Sequence, residues 1–163
     1  IFVLFNTFIF NVNAKVVYLD MNLILSKSNV GISLNNHLKK IADLNVEKYQ
    51  NIENKIIKKE EALLAQQNIL EKSEFEKKLN EFSNEVKIYR SNKKKSLDDL
   101  NEIKLKNIKK ILDSLNPIIS NYVNENSISL VVPRKNIIVG KKDLDITDKI
   151  IKLMNIKIQK LDF

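Results

Sequence analysis

The sequence predicts an α+β protein, mostly α-helical, in which a long antiparallel helical hairpin is inserted in a small β-rich association domain. The 163 residues include only two glycines and two prolines, so helices can run long without interruption. Charged residues make up 29% of the chain, which favours exposed helices over a compact enzyme core. Runs of β-forming residues lie near the two ends. A thin helical chain buries little apolar surface alone, so we expect partner chains.

The chain has a formal net charge of +8, which points to acidic partners such as nucleic acid, anionic lipid or acidic polypeptide. It contains no cysteine, which excludes a disulfide framework and cysteine-based metal sites. Net charge alone does not choose among these partners.

Residues 1–14, "IFVLFNTFIFNVNA", form an uncharged apolar stretch that ends in a small residue, Ala14. A small residue just before the cut is typical of a signal peptidase site. The apolar run is shorter than the roughly 20 residues of a membrane-spanning helix. We interpret it as an export signal that has lost its first residues, with Lys15 starting a mature chain that is soluble outside the cytoplasm. The alternative is a buried strand or helix.

The segment that follows, "KVVYLDMNLIL", begins with β-forming residues and is too short to predict a helix. We therefore expect a strand around Val16 to Leu19, a turn over residues 26–31, and a helix from Ile32.

Two seams of apolar residues at alternating three- and four-residue spacing predict a coiled coil. The phase slips across Lys93, Lys94 and Lys95, which alters a supercoil without ending the helix. Pro117 lies in the second run and predicts a kink. The first seam comprises Leu38, Ala42, Tyr49, Ile52, Ile56, Leu63 and Leu70. The second comprises Phe75, Leu79, Phe82, Val86 and Tyr89, then Leu97, Leu100, Ile108, Leu112, Leu115, Ile119 and Tyr122.

The stretch "NILEKSEFEKKLNEF" decides between a rod and a hairpin. Ser73 to Glu76 read Ser-Glu-Phe-Glu, a capping box that starts a new helix. A straight helix over residues 32–124 would be about 140 Å long, whereas folding it near residues 71–73 gives two runs of about 60 to 75 Å that bury each other's seams. We therefore predict a hairpin.

After residue 124 the pattern changes. "SISLVV" and "NIIVG" predict two short strands separated by Pro133 and a turn. A last helix follows, with Asp145 or Thr147 as its N-cap. Its apolar side comprises Ile150, Ile151, Leu153 and Met154.

No catalytic constellation is visible. His37 is the only histidine and is expected to be a surface helix residue. With two glycines, both at predicted turns, no phosphate-binding loop can form. We expect no enzyme activity, no cofactor and no metal.

The densest basic cluster has three interpretations. It is a solvated helix face, or it attracts acidic client segments or anionic lipid headgroups, or it binds nucleic-acid phosphates. The export signal argues against nucleic acid. The cluster comprises Lys87, Arg90, Lys93, Lys94 and Lys95.

The order of these elements resembles the Skp/OmpH family of periplasmic chaperones. The resemblance is carried by "KVVYLDMNLIL" after the export signal, "LLAQQNILEKSEFEKKLNEF" at the hairpin turn, and "SISLVV" with "NIIVGKKDLDITDKIIKLMN" at the end. It implies a trimer in which residues 15–31 and 125–163 form a β-rich body and residues 32–124 form a tentacle. We expect the trimer interface to bury Val17, Leu19, Leu130, Val131, Ile138 and Val139.

The function implied by the resemblance is an ATP-independent periplasmic holdase. It would keep unfolded outer-membrane β-barrel proteins in the cavity between three tentacles, with contact to anionic lipid or lipopolysaccharide as a further possibility. One alternative is a structural periplasmic coiled-coil scaffold, which a straight rod would favour. The other is a basic nucleic-acid-binding coiled coil, which a cytoplasmic location would favour.

Overall fold

A computed structural model describes residues 14–163. The predicted export signal, apart from Ala14, lies outside the described residues. None of the helices in the described part is long and apolar enough to cross a membrane. The elements are β1 (Val16–Leu19), α1 (Met21–Lys27), α2 (Asn29–Ala65), α3 (Lys72–Glu125), β2 (Leu130–Pro133) and α4 (Thr147–Lys157), with 3₁₀ turns at Arg134–Asn136 and Lys142–Leu144.

The described residues form two compact units. Residues 14–31 and Ile111–Leu161 make the first, which we call the body. Ile32–Lys110, with Asp162–Phe163, make the second, and we call its helical part, Ile32–Lys110, the arm. The division into a signal peptide, a trimerisation body and a tentacle stays a prediction.

The body contains a two-stranded parallel sheet in which Val17 pairs with Val131. Parallel strands need a long crossover, and the helices between β1 and β2 provide it. The predicted third strand at residues 136–140 is wrong, because this segment continues from a 3₁₀ turn into bends. The second edge of β1 is already taken, since the Ile146 N–H donates to the Tyr18 carbonyl at 2.9 Å.

Helix α1 corrects the prediction for the segment after β1. The Asp20 side chain caps it by accepting from the Leu23 N–H at 3.0 Å, and Ile24 is completely buried. The predicted turn at residues 26–31 is also wrong, because only Ser28 is non-helical and α2 begins at Asn29. Tertiary contacts stabilise these short segments, so their local pattern was a poor guide.

The stretch "DIT" anchors α4 to β1 and α1. Asp145 accepts from the Thr147 N–H at 2.9 Å and forms an ion pair with Arg134 at 3.1 Å. The Thr147 hydroxyl accepts from the Asp20 N–H at 2.9 Å. Thr147 is the first residue of α4 and Ile146 occupies the N-cap position, so neither predicted N-cap, Asp145 or Thr147, is the N-cap residue. These hydrogen bonds explain why a short polar stretch ends the sheet and begins the helix.

The body has one apolar core. Of the predicted apolar side of α4, Ile150 and Met154 are fully buried, and Ile151 and Leu153 are half-buried. Helix α3 contributes to the core and continues through Pro117 to Glu125. The core residues are Val17, Leu19, Ile24, Val30, Ile111, Leu115, Ile118, Ile128, Ile146, Ile150 and Met154.

The arm is an antiparallel helical hairpin, so the hairpin prediction is confirmed and the straight rod is wrong. The Tyr49 hydroxyl donates to the Asn92 carbonyl at 2.7 Å, and Lys59 pairs with Glu85 at 2.6 Å nearer the turn. Residues 66–71 connect the helices. Helix α3 begins at Lys72, and the Phe75 N–H already donates to the Glu71 carbonyl at 3.0 Å, so the prediction of Ser73 as the N-cap is wrong. The helix runs unbroken through the three consecutive lysines.

Candidate functional site

The surface of the arm carries large aliphatic side chains on both helices. Two helices cover only a narrow seam, so apolar residues outside it remain in solvent. Leu79 and Leu97, which we predicted for the seam, are 46% and 62% exposed. Single exposed aliphatics are ordinary, but this arm carries them along its length. The set is Ile32, Leu44, Val46, Ile57 and Leu64 on α2, Ile69 in the connection, and Leu79, Ile88, Leu97 and Leu105 on α3.

Open clefts lie between α2 and α3 along the arm, and two of them are larger than the others. The larger has a volume of ≈ 660 Å³, and Tyr49 and Tyr89 are among its lining residues. The rings of these tyrosines are 6.1 Å apart between centroids. The other cleft, ≈ 570 Å³, is lined by Ile57 and Phe82 among others, with Lys87 and Arg90 also present. Both clefts combine aliphatic, aromatic and charged groups, which suits loose contact with an amphipathic chain.

The five residues of the basic cluster make different contacts in the structure. Lys93 pairs with Glu53 of α2 at 3.2 Å and donates to the Tyr89 hydroxyl at 3.0 Å. Tyr89 in turn donates to Glu53 at 2.8 Å, so the three residues link the two helices of the arm. Lys87 and Arg90 line one cleft and Lys95 lines the other, while Lys94 is exposed. Binding by the cluster stays a prediction.

The link between the helices shifts two pKa values. The hydrogen bond from Tyr89, together with Lys93, lowers the pKa of Glu53. The hydrogen bonds to Tyr89 and Glu53 raise the pKa of Lys93. Both shifts favour the charged forms, so the link is intact at neutral pH.

We expect Tyr89→Phe to lower the stability of the arm more at neutral pH than in acid. A carboxyl group whose pKa is lowered by folding stabilises the fold above its unfolded pKa, about 4.3, and loses that contribution as the pH falls through the folded pKa. Chemical denaturation of both proteins at pH 7 and at pH 3 measures the effect. An equal loss of stability at both pH values would contradict this role for the hydroxyl.

The residues predicted for a trimer interface fall into two groups. Val17 and Leu19 are buried in the core of their own chain. Leu130 is 55% exposed and Val131 is half-buried. Ile138 and Val139 follow β2 and are 101% and 90% exposed. Their burial by other chains stays a prediction.

The described residues hold no group of three or more His, Cys, Asp or Glu side chains that could bind a metal. His37, the only histidine, lies 6.4 Å from the ring of Phe163 between centroids. The candidate functional site is therefore the surface of the arm, an exposed helical hairpin with clefts.

This fold defines a class of protein, one with a small α/β body whose crossover is extended into a helical arm. A family model described as outer membrane protein, OmpH-like, matches residues 15–154. The chain therefore belongs to the OmpH-like family, which confirms the resemblance seen in the sequence.

A crystal structure from Caulobacter crescentus CB15, of a protein assigned as an OmpH-like outer membrane chaperone, has the same fold. The TM-score is 0.83 at 16% identity, and the match covers 92% of this chain and 89% of that one. No curated protein matches the sequence. Membership of the OmpH-like family supports a chaperone role in general terms, and this family is generally non-enzymatic.

Proposed function

We propose that this chain is an ATP-independent periplasmic holdase that binds unfolded outer-membrane β-barrel proteins between the arms of a homotrimer. OmpH-like outer membrane chaperones are periplasmic, which supports the location. The observation that carries the proposal is the exposure of aliphatic side chains along both helices of the arm, separated by lysines.

Such a surface suits a holdase for a physical reason. Each partly exposed aliphatic side chain gains only a fraction of the roughly 25 cal/mol per Å² that full burial would provide. Many weak contacts can therefore hold an unfolded chain without requiring one sequence. The positive charge of the chain, +8, accelerates encounter with acidic segments. The same lysines would also bind anionic lipid or lipopolysaccharide headgroups.

The trimer is proposed from the family resemblance and from the body. Ile138 and Val139 are apolar and almost fully exposed in the single chain. Exposed apolar residues close together often mark a protein interface. In the proposed trimer, this segment is covered by a neighbouring chain.

We expect the combined variant Val46→Ser, Leu97→Ser and Leu105→Ser to bind an unfolded β-barrel protein about tenfold more weakly. Three partial contacts of about 0.5 kcal/mol each sum to the energy of one factor of ten in affinity. All three residues are more than half exposed, so the fold should be unchanged. The assay is suppression of client aggregation, followed by light scattering as a function of chaperone concentration.

The matched control changes three exposed polar residues of the arm to serine: Gln50, Asn51 and Asn84. It should suppress aggregation as the unchanged protein does. If the aliphatic variant also did so, the exposed aliphatic side chains would not be the binding surface. If the unchanged protein failed to suppress aggregation at all, the holdase proposal would be wrong.

A further inference from the structure

The end of the described chain lies on the arm. We call residues 159–163 the tail. The Lys110 ammonium group donates a hydrogen bond to the Asp162 backbone carbonyl at 3.0 Å. The ring of Phe163 lies 6.4 Å from the imidazole of His37 between centroids, at 34° between planes. Here α2 contributes His37 and α3 contributes Lys110.

Both contacts can form with bound segments of many different sequences. Lys110 binds a main-chain carbonyl, which every residue of every polypeptide provides. The Asp162 side chain takes no part in that bond. His37 contacts an aromatic ring, and Phe163 is half-buried there. A surface that binds a backbone carbonyl and an adjacent apolar ring could accept many segments in place of the tail.

The last three residues of the tail alternate apolar and charged side chains. Leu161 and Phe163 are apolar and Asp162 between them is charged. In an extended chain, residues two apart point to the same side. Strands of transmembrane barrels alternate apolar and polar residues in this way. The tail lies outside the family match, which ends at residue 154, so the shared fold does not require it.

We propose that the face of the arm around His37 and Lys110 is a binding surface for extended client segments with alternating apolar and polar residues. The tail occupies this surface until a client displaces it. This inference rests on the proposed holdase function for the identity of the client, but not for the contact between tail and arm. The tail is thus an internal competitor that keeps an apolar-binding surface covered while no client is present.

The first test uses a fluorescent peptide with the sequence of residues 158–163. It is added to the intact chain and to a chain that ends at Ile158. The shortened chain keeps the hydrogen bond from the Ile158 N–H to the Met154 carbonyl, so α4 is unaffected. The tethered tail competes at an effective concentration on the order of millimolar, so for a tail Kd of about 0.1 mM the peptide should bind the shortened chain about tenfold more tightly. Fluorescence anisotropy measures both affinities. Equal affinities, or no binding to either chain, would overturn the proposal.

Two point variants of the tail test the contribution of the Phe163 ring while the backbone contact of Asp162 is kept. In the intact chain, Phe163→Ser removes the ring and should raise peptide affinity towards that of the shortened chain. Asp162→Asn is the matched control, since it keeps the backbone carbonyl and should leave peptide affinity unchanged. A similar rise for both variants would contradict a contact made through the Phe163 ring and the Asp162 backbone carbonyl.

The last experiment adds an unfolded outer-membrane β-barrel protein to the complex of peptide and shortened chain. Displacement of the peptide supports the shared surface. If the client is kept from aggregating but the peptide stays bound, this inference is wrong and the holdase function stands. If the peptide binds as expected but the client aggregates regardless, the holdase function is wrong and the contact between tail and arm stands.

Discussion

Replacing Ile138 and Val139 together by Asp is expected to convert the proposed trimer into folded single chains. The two side chains are 101% and 90% exposed, so the substitutions remove nothing from the core of their own chain. In an interface, each would bury a carboxylate without a partner, at a cost of several kcal/mol. Sedimentation velocity gives the mass, and circular dichroism checks that the helices are intact.

The matched control for this pair is Lys135→Asp. Lys135 is exposed in the same segment, and its replacement changes the net charge by the same two units. The control should assemble normally, because it removes no apolar surface. An unchanged mass for the Ile138 and Val139 variant would show that this segment does not hold the chains together.

Gly31→Ala is expected to destabilise the body by about 3 kcal/mol, at the upper end for an overpacked site. A Cβ at this position would lie 1.9 Å from the Leu25 carbonyl oxygen, where α1 passes close to the start of α2. The backbone there is also held by the Gly31 N–H, which donates to the Ser28 hydroxyl at 3.2 Å. Neither helix can shift without moving buried residues such as Ile24 and Val30.

Gly140→Ala is the comparison for this effect. Its Cβ would meet the ring of Tyr18 at 2.8 Å, a side chain that can move. We expect a loss of about 1 kcal/mol, at the low end of the overpacking range. Urea denaturation at one fixed protein concentration measures both variants. Equal losses would mean that the close approach of α1 and α2 is not what Gly31 permits.

The hairpin could be predicted from the sequence because its signals are local and repeated. Apolar spacing over dozens of residues depends only on helix geometry, whereas the predicted cap at Ser73 lies inside α3. Helix α1 could not be predicted in this way, since seven residues carry little periodicity and Ile24 is buried by contacts distant in sequence. The strand expected at residues 136–140 has strand-like composition but no partner strand within the described chain.

The basic residues of the candidate site could be predicted from the sequence, but the contacts that they make could not. The sequence identified a cluster of basic residues, yet the engagement of Lys93 with Glu53 and Tyr89 depends on the register of the hairpin. One signal was available: Glu53 and Lys93 lie at equal sequence distances on either side of Ser73. In an antiparallel hairpin, opposite charges at equal distances from the connection between the two helices favour such an ion pair. The tail on the arm gave no comparable signal, because its contacts use a backbone carbonyl.

We propose that three chains together hold one unfolded client. Native mass spectrometry of the chain starting at Lys15, mixed with an unfolded outer-membrane β-barrel protein, tests it most directly. We predict a complex of three chains and one client, formed without ATP. A complex of one chain with one client, or a trimer that carries no client, would contradict it.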